Sequence, residues 1–203
     1  MKKFITLLFV ASSTLACAQI ALKLSNVRPT GNMGATLKPS IGIELMYKGF
    51  KDDDDESGFH PRASISFSKF KTRLDTFPTF GVISSNGTTV TPGYTVIHKY
   101  SLAGLSVGGD IMIRLTDEFY LYPGFDVGAL FSSVEYDSYA PLISSEGYSG
   151  GYVYLSMRLR AGAEYLIKEN IGIFLEANRS MNFSPEAGGL AYNDYGVGVR
   201  YKF

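Results

Sequence analysis

From residue 20 onward, apolar and polar residues alternate with a period of two over most of the chain, which is the period of strands and not of helices. Around 107–115, Val107, Ile111, Ile113 and Leu115 share a face with Gly109, while Gly108, Asp110, Met112 and Arg114 share the other. Around 153–165, Val153, Leu155, Met157, Leu159, Ala161 and Ala163 oppose Tyr154, Ser156, Arg158, Arg160, Gly162 and Glu164. The same division separates Ile41, Ile43 and Leu45 from Glu44, and Ile171, Ile173 and Leu175 from Glu176. The alternation predicts eight strands, over 20–28, 36–50, 59–74, 96–115, 119–136, 151–166, 171–183 and 191–203. No stretch carries the 3.6-residue period and capping residues of a long helix.

The predicted connections alternate in length. The sequences TDE and IKEN between strands are tight, whereas the segments around 76–95 and 138–150 are long. An up-and-down meander with long connections at one end and short ones at the other is the layout of a transmembrane barrel. Alternation alone does not say which face points inward, because soluble sheets alternate too. Three features turn the apolar face outward. The polar face carries acids and bases in balance, as an enclosed ion-pair network requires. It is rich in glycine, which suits a crowded lumen. Aromatic residues gather near strand ends, where interfacial girdles belong. The expected fold is therefore all-β, an eight-stranded antiparallel up-and-down transmembrane β-barrel.

The front end changes the picture of where the fold starts. Lys2 and Lys3 precede an apolar run, and Ala16-Cys17-Ala18 has the form of a cleavage site, so residues 1–18 are expected to be a secretory signal and 19–203 the barrel. A lipid anchor on Cys17 is the rival reading. Cleavage after Ala18 removes the only cysteine and two of the 19 basic residues, leaving 19 − 2 = 17 basic against 19 acidic. That balance argues against nucleic-acid binding, and no thiolate metal site or disulfide remains.

The last strand, GVGVRYKF, alternates apolar and small or cationic residues and stops on Phe203. With the eight strands and the signal, it resembles the small outer-membrane β-barrel family of Gram-negative bacteria: OmpX-like barrels, the OmpA barrel domain, and chains labelled porin family or PorT-like. The resemblance implies that Val197, Val199, Tyr201 and Phe203 form a signal read by the barrel-assembly machinery, and that the chain sits in the outer membrane in contact with its lipid. Unlike full-length OmpA, nothing follows the barrel, so no peptidoglycan anchor is expected.

Candidate chemistry is sparse. Glu44, Asp110, Arg114, Asp126, Arg158, Arg160, Glu164, Glu176, Arg200 and Lys202 are expected to form a lumenal charge network, in which side chains fill the bore. The acidic turn 52–56 has carboxylates for a hard cation, but neither the glycine nor the distal glutamate of a calcium loop. His60 and His98 fall at opposite ends of the meander, and neither Ser85 nor Ser101 completes a triad motif with His98. The segments 76–95 and 138–150 are the candidate external ligand surfaces. The reading is a monomeric barrel without cofactor or catalytic residues, structural or interacting through its external segments. A small porin-like transporter and an outer-membrane lipid-modifying enzyme are the alternatives.

Overall fold

The computed structural model describes residues 18–49, 57–74, 76–84, 88–140 and 143–203. The elements are β1 (Ala18–Thr30), α1 (Asn32–Thr36), β2 (Ser40–Gly49), β3 (Gly58–Phe70), β4 (Phe77–Ser84), β5 (Thr88–Arg114), β6 (Phe119–Ala140), β7 (Ile143–Lys168), β8 (Ile171–Ser184) and β9 (Gly188–Lys202). Every pairing is antiparallel. β1–β2–β3 continues directly to β5 through thirteen paired positions, then to β6, β7, β8 and β9, and β9 pairs with β1. Eight strands thus close a ring, and β4 stands outside it, paired to the first part of β5.

The register fixes the barrel's geometry. Paired residues followed once around run Tyr122, Gly162, Glu176, Gly196, Ser25, Gly42, Ser68, Leu102 and Ser132. The return to β6 is staggered by 132 − 122 = 10 residues. An eight-stranded barrel of such stagger has strands tilted by about 35–45° and an interior just wide enough for side chains.

Side-chain direction is inverted relative to a soluble barrel. Leu22, Leu24, Ile43, Leu45, Ile65, Phe67, Leu105, Val107, Val127, Leu159, Leu175, Val197 and Val199 all point outward and are exposed, while their polar neighbours are buried. A continuous apolar belt of this kind has no stable place in water and fits a hydrocarbon surround. Among the described residues no helix is long and apolar enough to cross a membrane; the strands do so.

Two sequence-based boundaries are corrected. The second strand does not begin at 36: Gly31, at φ 62°, turns the chain into α1, and β2 starts at Ser40. The segments 76–95 and 138–150 are not loops. They are hairpins built from β4 with the start of β5, and from the end of β6 with the start of β7. The predicted signal (1–17 of it), the acidic turn 52–56 and Ser85 lie outside the described residues.

Candidate functional site

The lumen is stratified. In its middle the inward faces of the strands place twelve buried charged residues besides His60, six of each sign among the described residues: Lys23, Lys48, Arg62, Arg158, Arg160 and Arg200 against Glu44, Asp110, Asp126, Glu164, Glu176 and Asp194. Lys23, 0 % exposed, places its ammonium 2.7 Å from Glu44 Oε2, 2.7 Å from Glu176 Oε1 and 3.5 Å from Asp194 Oδ2. A compact ammonium with three donors suits a junction of three carboxylates. Arg62 lies 2.7 Å from Glu176 Oε2 and 3.3 Å from Glu44 Oε1.

Arg158 donates to Glu44 at 2.9 Å and to Ser106 Oγ at 2.5 Å. Arg160 bridges Asp126 at 2.6 Å and Asp110 at 2.8 Å. Lys48 reaches Asp110 at 2.9 Å while lying 4.4 Å above the Tyr122 ring, whose hydroxyl donates to Glu176 at 3.4 Å. Toward the end of the barrel that holds β9's terminus, Arg200 pairs with Glu164 and donates to Gln19. Each charge therefore faces an opposite one, which removing either partner would undo.

Glycine makes the packing possible at Gly162. A Cβ there would fall 2.2 Å from Tyr122 Cζ, so the ring lies flat against bare backbone and leaves room for the ion pairs beside it.

Above the charged layer, toward the ends of β1, β3 and β6, an apolar layer closes the bore. Val27, Leu37, Phe70, Leu102, Leu130, Tyr154, Leu190 and Tyr192 form one buried cluster, with Met33 and Tyr100 packed against it. Leu37 and Met33 come from the β1–β2 connection, so α1 and the residue after it fold inward across the mouth. Arg73 fixes them there, its Nε donating to Gly34 O at 2.7 Å and Leu37 O at 3.1 Å.

The placement of the sequence-predicted residues is uneven. Glu44, Asp110, Asp126, Arg158, Arg160, Glu164, Glu176 and Arg200 lie in the buried layer. Arg114 does not: its side chain is 38 % exposed and pairs with Asp117 at 2.5 Å across the tight turn after β5. It sits at the last residue of the strand, where the bore has already opened. Lys202 is partly exposed at the same rim, its backbone N–H bonded to Asn170 O at 2.9 Å. Val197, Val199, Tyr201 and Phe203 project outward, and the last two rings meet edge-on at 5.0 Å. Lys23, Lys48, Arg62 and Asp194 were missed by the sequence reading. Parity alone signals Lys23, which stands between the outward Leu22 and Leu24.

Beyond the apolar layer, β4, the first part of β5, the end of β6 and the start of β7 continue as a projecting four-stranded sheet. Cross-strand pairs hold it. Tyr94 and Tyr139 stack at 4.9 Å, His98 Nε2 lies 2.8 Å from Asp137 Oδ2, and Lys99 donates to Glu135 at 2.6 Å. The Lys99 hydrogen bond holds the Glu135 carboxyl below its ordinary range. His98 is 52 % exposed, Ser101 is buried, and His60 is buried near the opposite end of the barrel. Among the described residues no cluster of three or more His, Cys, Asp or Glu side chains is arranged to hold a metal ion.

Solved structures share this architecture. Neisserial surface protein A, from Neisseria, superposes with a TM-score of 0.62 at 10 % identity, over 92 % of this chain and 97 % of that one. The chain folds as an outer-membrane β-barrel. A major outer membrane protein of Thermus thermophilus gives a TM-score of 0.50 at 11 % identity, over 92 % and 99 %. No family model matches the sequence, and no curated protein matches it significantly. Identities this low establish the barrel fold and leave the role to the geometry.

Proposed function

We propose that the protein is a closed outer-membrane barrel, without solute transport or catalysis of its own, that acts by surface recognition through the projecting sheet. One observation carries the reading: the bore is filled by paired charges and then sealed by the apolar cluster around Leu37, Tyr154 and Leu190, while β4–β7 continue past the seal. The orientation follows the barrel family the sequence resembles, with both chain ends and the tight turns 115–118 and 169–170 on the periplasmic side.

The projecting sheet has the chemistry of a recognition surface. Among the described residues β7 is paired with β8 only from Leu155 onward, so ahead of that residue its edge away from β6 has no partner strand. Ser149, Gly150, Gly151, Tyr152 and Val153 on that edge carry no charge or proline to discourage strand addition. The outer edge of β4, by contrast, carries Pro78. The His98–Asp137 pair, whose carboxylate also accepts from the Tyr139 hydroxyl at 3.2 Å, is the one feature that favours an enzyme.

The test is to replace residues 77–95 by a short turn joining β3 to β5. Cells displaying the full chain are expected to adhere to protein-coated surfaces, and cells with the trimmed chain to lose that adhesion while the barrel still runs fast on unboiled gels. Equal adhesion by both would overturn the reading.

A further inference from the structure

The outer rim of the barrel carries a group of cations that the lumen does not use. On β3 the outward column runs Ile65, Phe67, Lys69, so the lipid-facing residues give way to a lysine at a single step of the pleat, and Lys71 follows on the same side. Lys38 joins them from the β1–β2 connection. Its N–H bonds Lys71 O at 2.8 Å, beside the isolated bridge between Leu37 and Thr72, so Lys38 and Lys71 stand directly opposite each other. All three side chains are exposed.

Like charges directly opposite on a sheet repel, and no described residue forms a salt bridge with any of the three. The described acid whose carboxyl feels Lys69, Glu135, is bonded to Lys99. The arrangement is also held in place. Arg73 clamps the connection that carries Lys38, through Gly34 O and Leu37 O, and the Ser40 hydroxyl donates to Lys69 O.

We propose that Lys38, Lys69 and Lys71 bind the phosphate groups of an anionic lipid of the outer leaflet. The position selects the occupant: flexible lysines one pleat above an apolar belt extend into the headgroup layer, where phosphates supply the missing negative charge. A soluble polyanion would meet the same charges but would leave the apolar flank of Ile41 and Phe67 without a use. A phosphorylated glycolipid satisfies both, with its acyl chains on the belt and its phosphates between the lysines. The inference rests on the external orientation proposed above.

The experiment titrates the refolded full chain, in a neutral detergent, with diphosphorylated lipid A, reading bound lipid by native mass spectrometry. Replacing all three lysines by serine is expected to weaken binding by about two orders of magnitude, roughly fivefold per lysine, and replacement by arginine to preserve it. Inorganic phosphate at equal concentration is expected not to compete, and dephosphorylated lipid A to bind like the serine variant. Binding that is unchanged in the serine variant, or equal for dephosphorylated lipid, overturns the proposal. Orientation is read separately, through Lys71→Cys and a membrane-impermeant maleimide on intact cells. Absent labelling refutes the external orientation; labelling without phosphate-dependent binding refutes the lipid site alone.

Discussion

Glu176→Ala is expected to destabilise the barrel by about 3–5 kcal/mol, measured by urea unfolding from phospholipid vesicles. The carboxylate lies 2.7 Å from both the Lys23 ammonium and the Arg62 guanidinium, at the centre of a layer that water does not reach. Its removal leaves six buried cations facing five anions. The penalty comes from the orphaned charge and not from the worth of the pair, since a buried ion pair can roughly break even against apolar residues of the same volume. The double change Lys23→Met with Glu176→Met therefore tests the mechanism. It restores the balance at five to five, leaves Arg62 with Glu44 at 3.3 Å and Asp110 at 3.8 Å, and is expected to recover most of the loss. A single change costing under about 1 kcal/mol, or a double variant as unstable as the two single losses combined, would contradict the electroneutral-layer account.

Val107→Arg is expected to cost about 2–4 kcal/mol in the same assay, because Val107 projects from the middle of the apolar belt and a charge there must be desolvated or drawn to an interface. The residue is exposed and pairs with the equally outward Val127. In a soluble barrel the substitution would be nearly neutral, as surface changes usually are. Ser133→Arg, on the outward face of β6 beyond Phe131, is the internal control, expected within about 0.5 kcal/mol of the parent protein. Equal effects at the two sites would mean that the exposed belt faces water.

The barrel was legible because its alternation is long and uninterrupted within the membrane-spanning part. Parity sets Glu44, Asp126, Arg158, Arg160 and Glu176 on the polar face of their strands, and in the structure these side chains are buried. It stopped being informative where the pleat itself changes. The expected strands began at 96 and ended at 136, and β5 and β6 have register shifts between Ile97 and Lys99 and between Tyr136 and Ser138. An extra residue in one strand flips every later side chain to the other face, so the projecting part of the sheet reads as irregular sequence. The sequence between β4 and β5 carries Asn86-Gly87, a dipeptide typical of hairpin turns, inside the stretch that the alternation leaves as one long connection. Arg114 kept the right parity but sat at the end of its strand, where direction no longer means enclosure. The apolar seal was the least visible feature. Val27, Leu102, Leu130 and Leu190 share the parity of the charged layer, and only the ring brings them together.

Planar-bilayer recording of the refolded full chain tests whether this barrel is closed. The sealed, charge-filled lumen predicts a protein that inserts, as judged by its faster migration before boiling, yet gives no stable conductance steps. Reproducible steps of uniform size that disappear when Leu37 or Tyr154 is enlarged to tryptophan would contradict it.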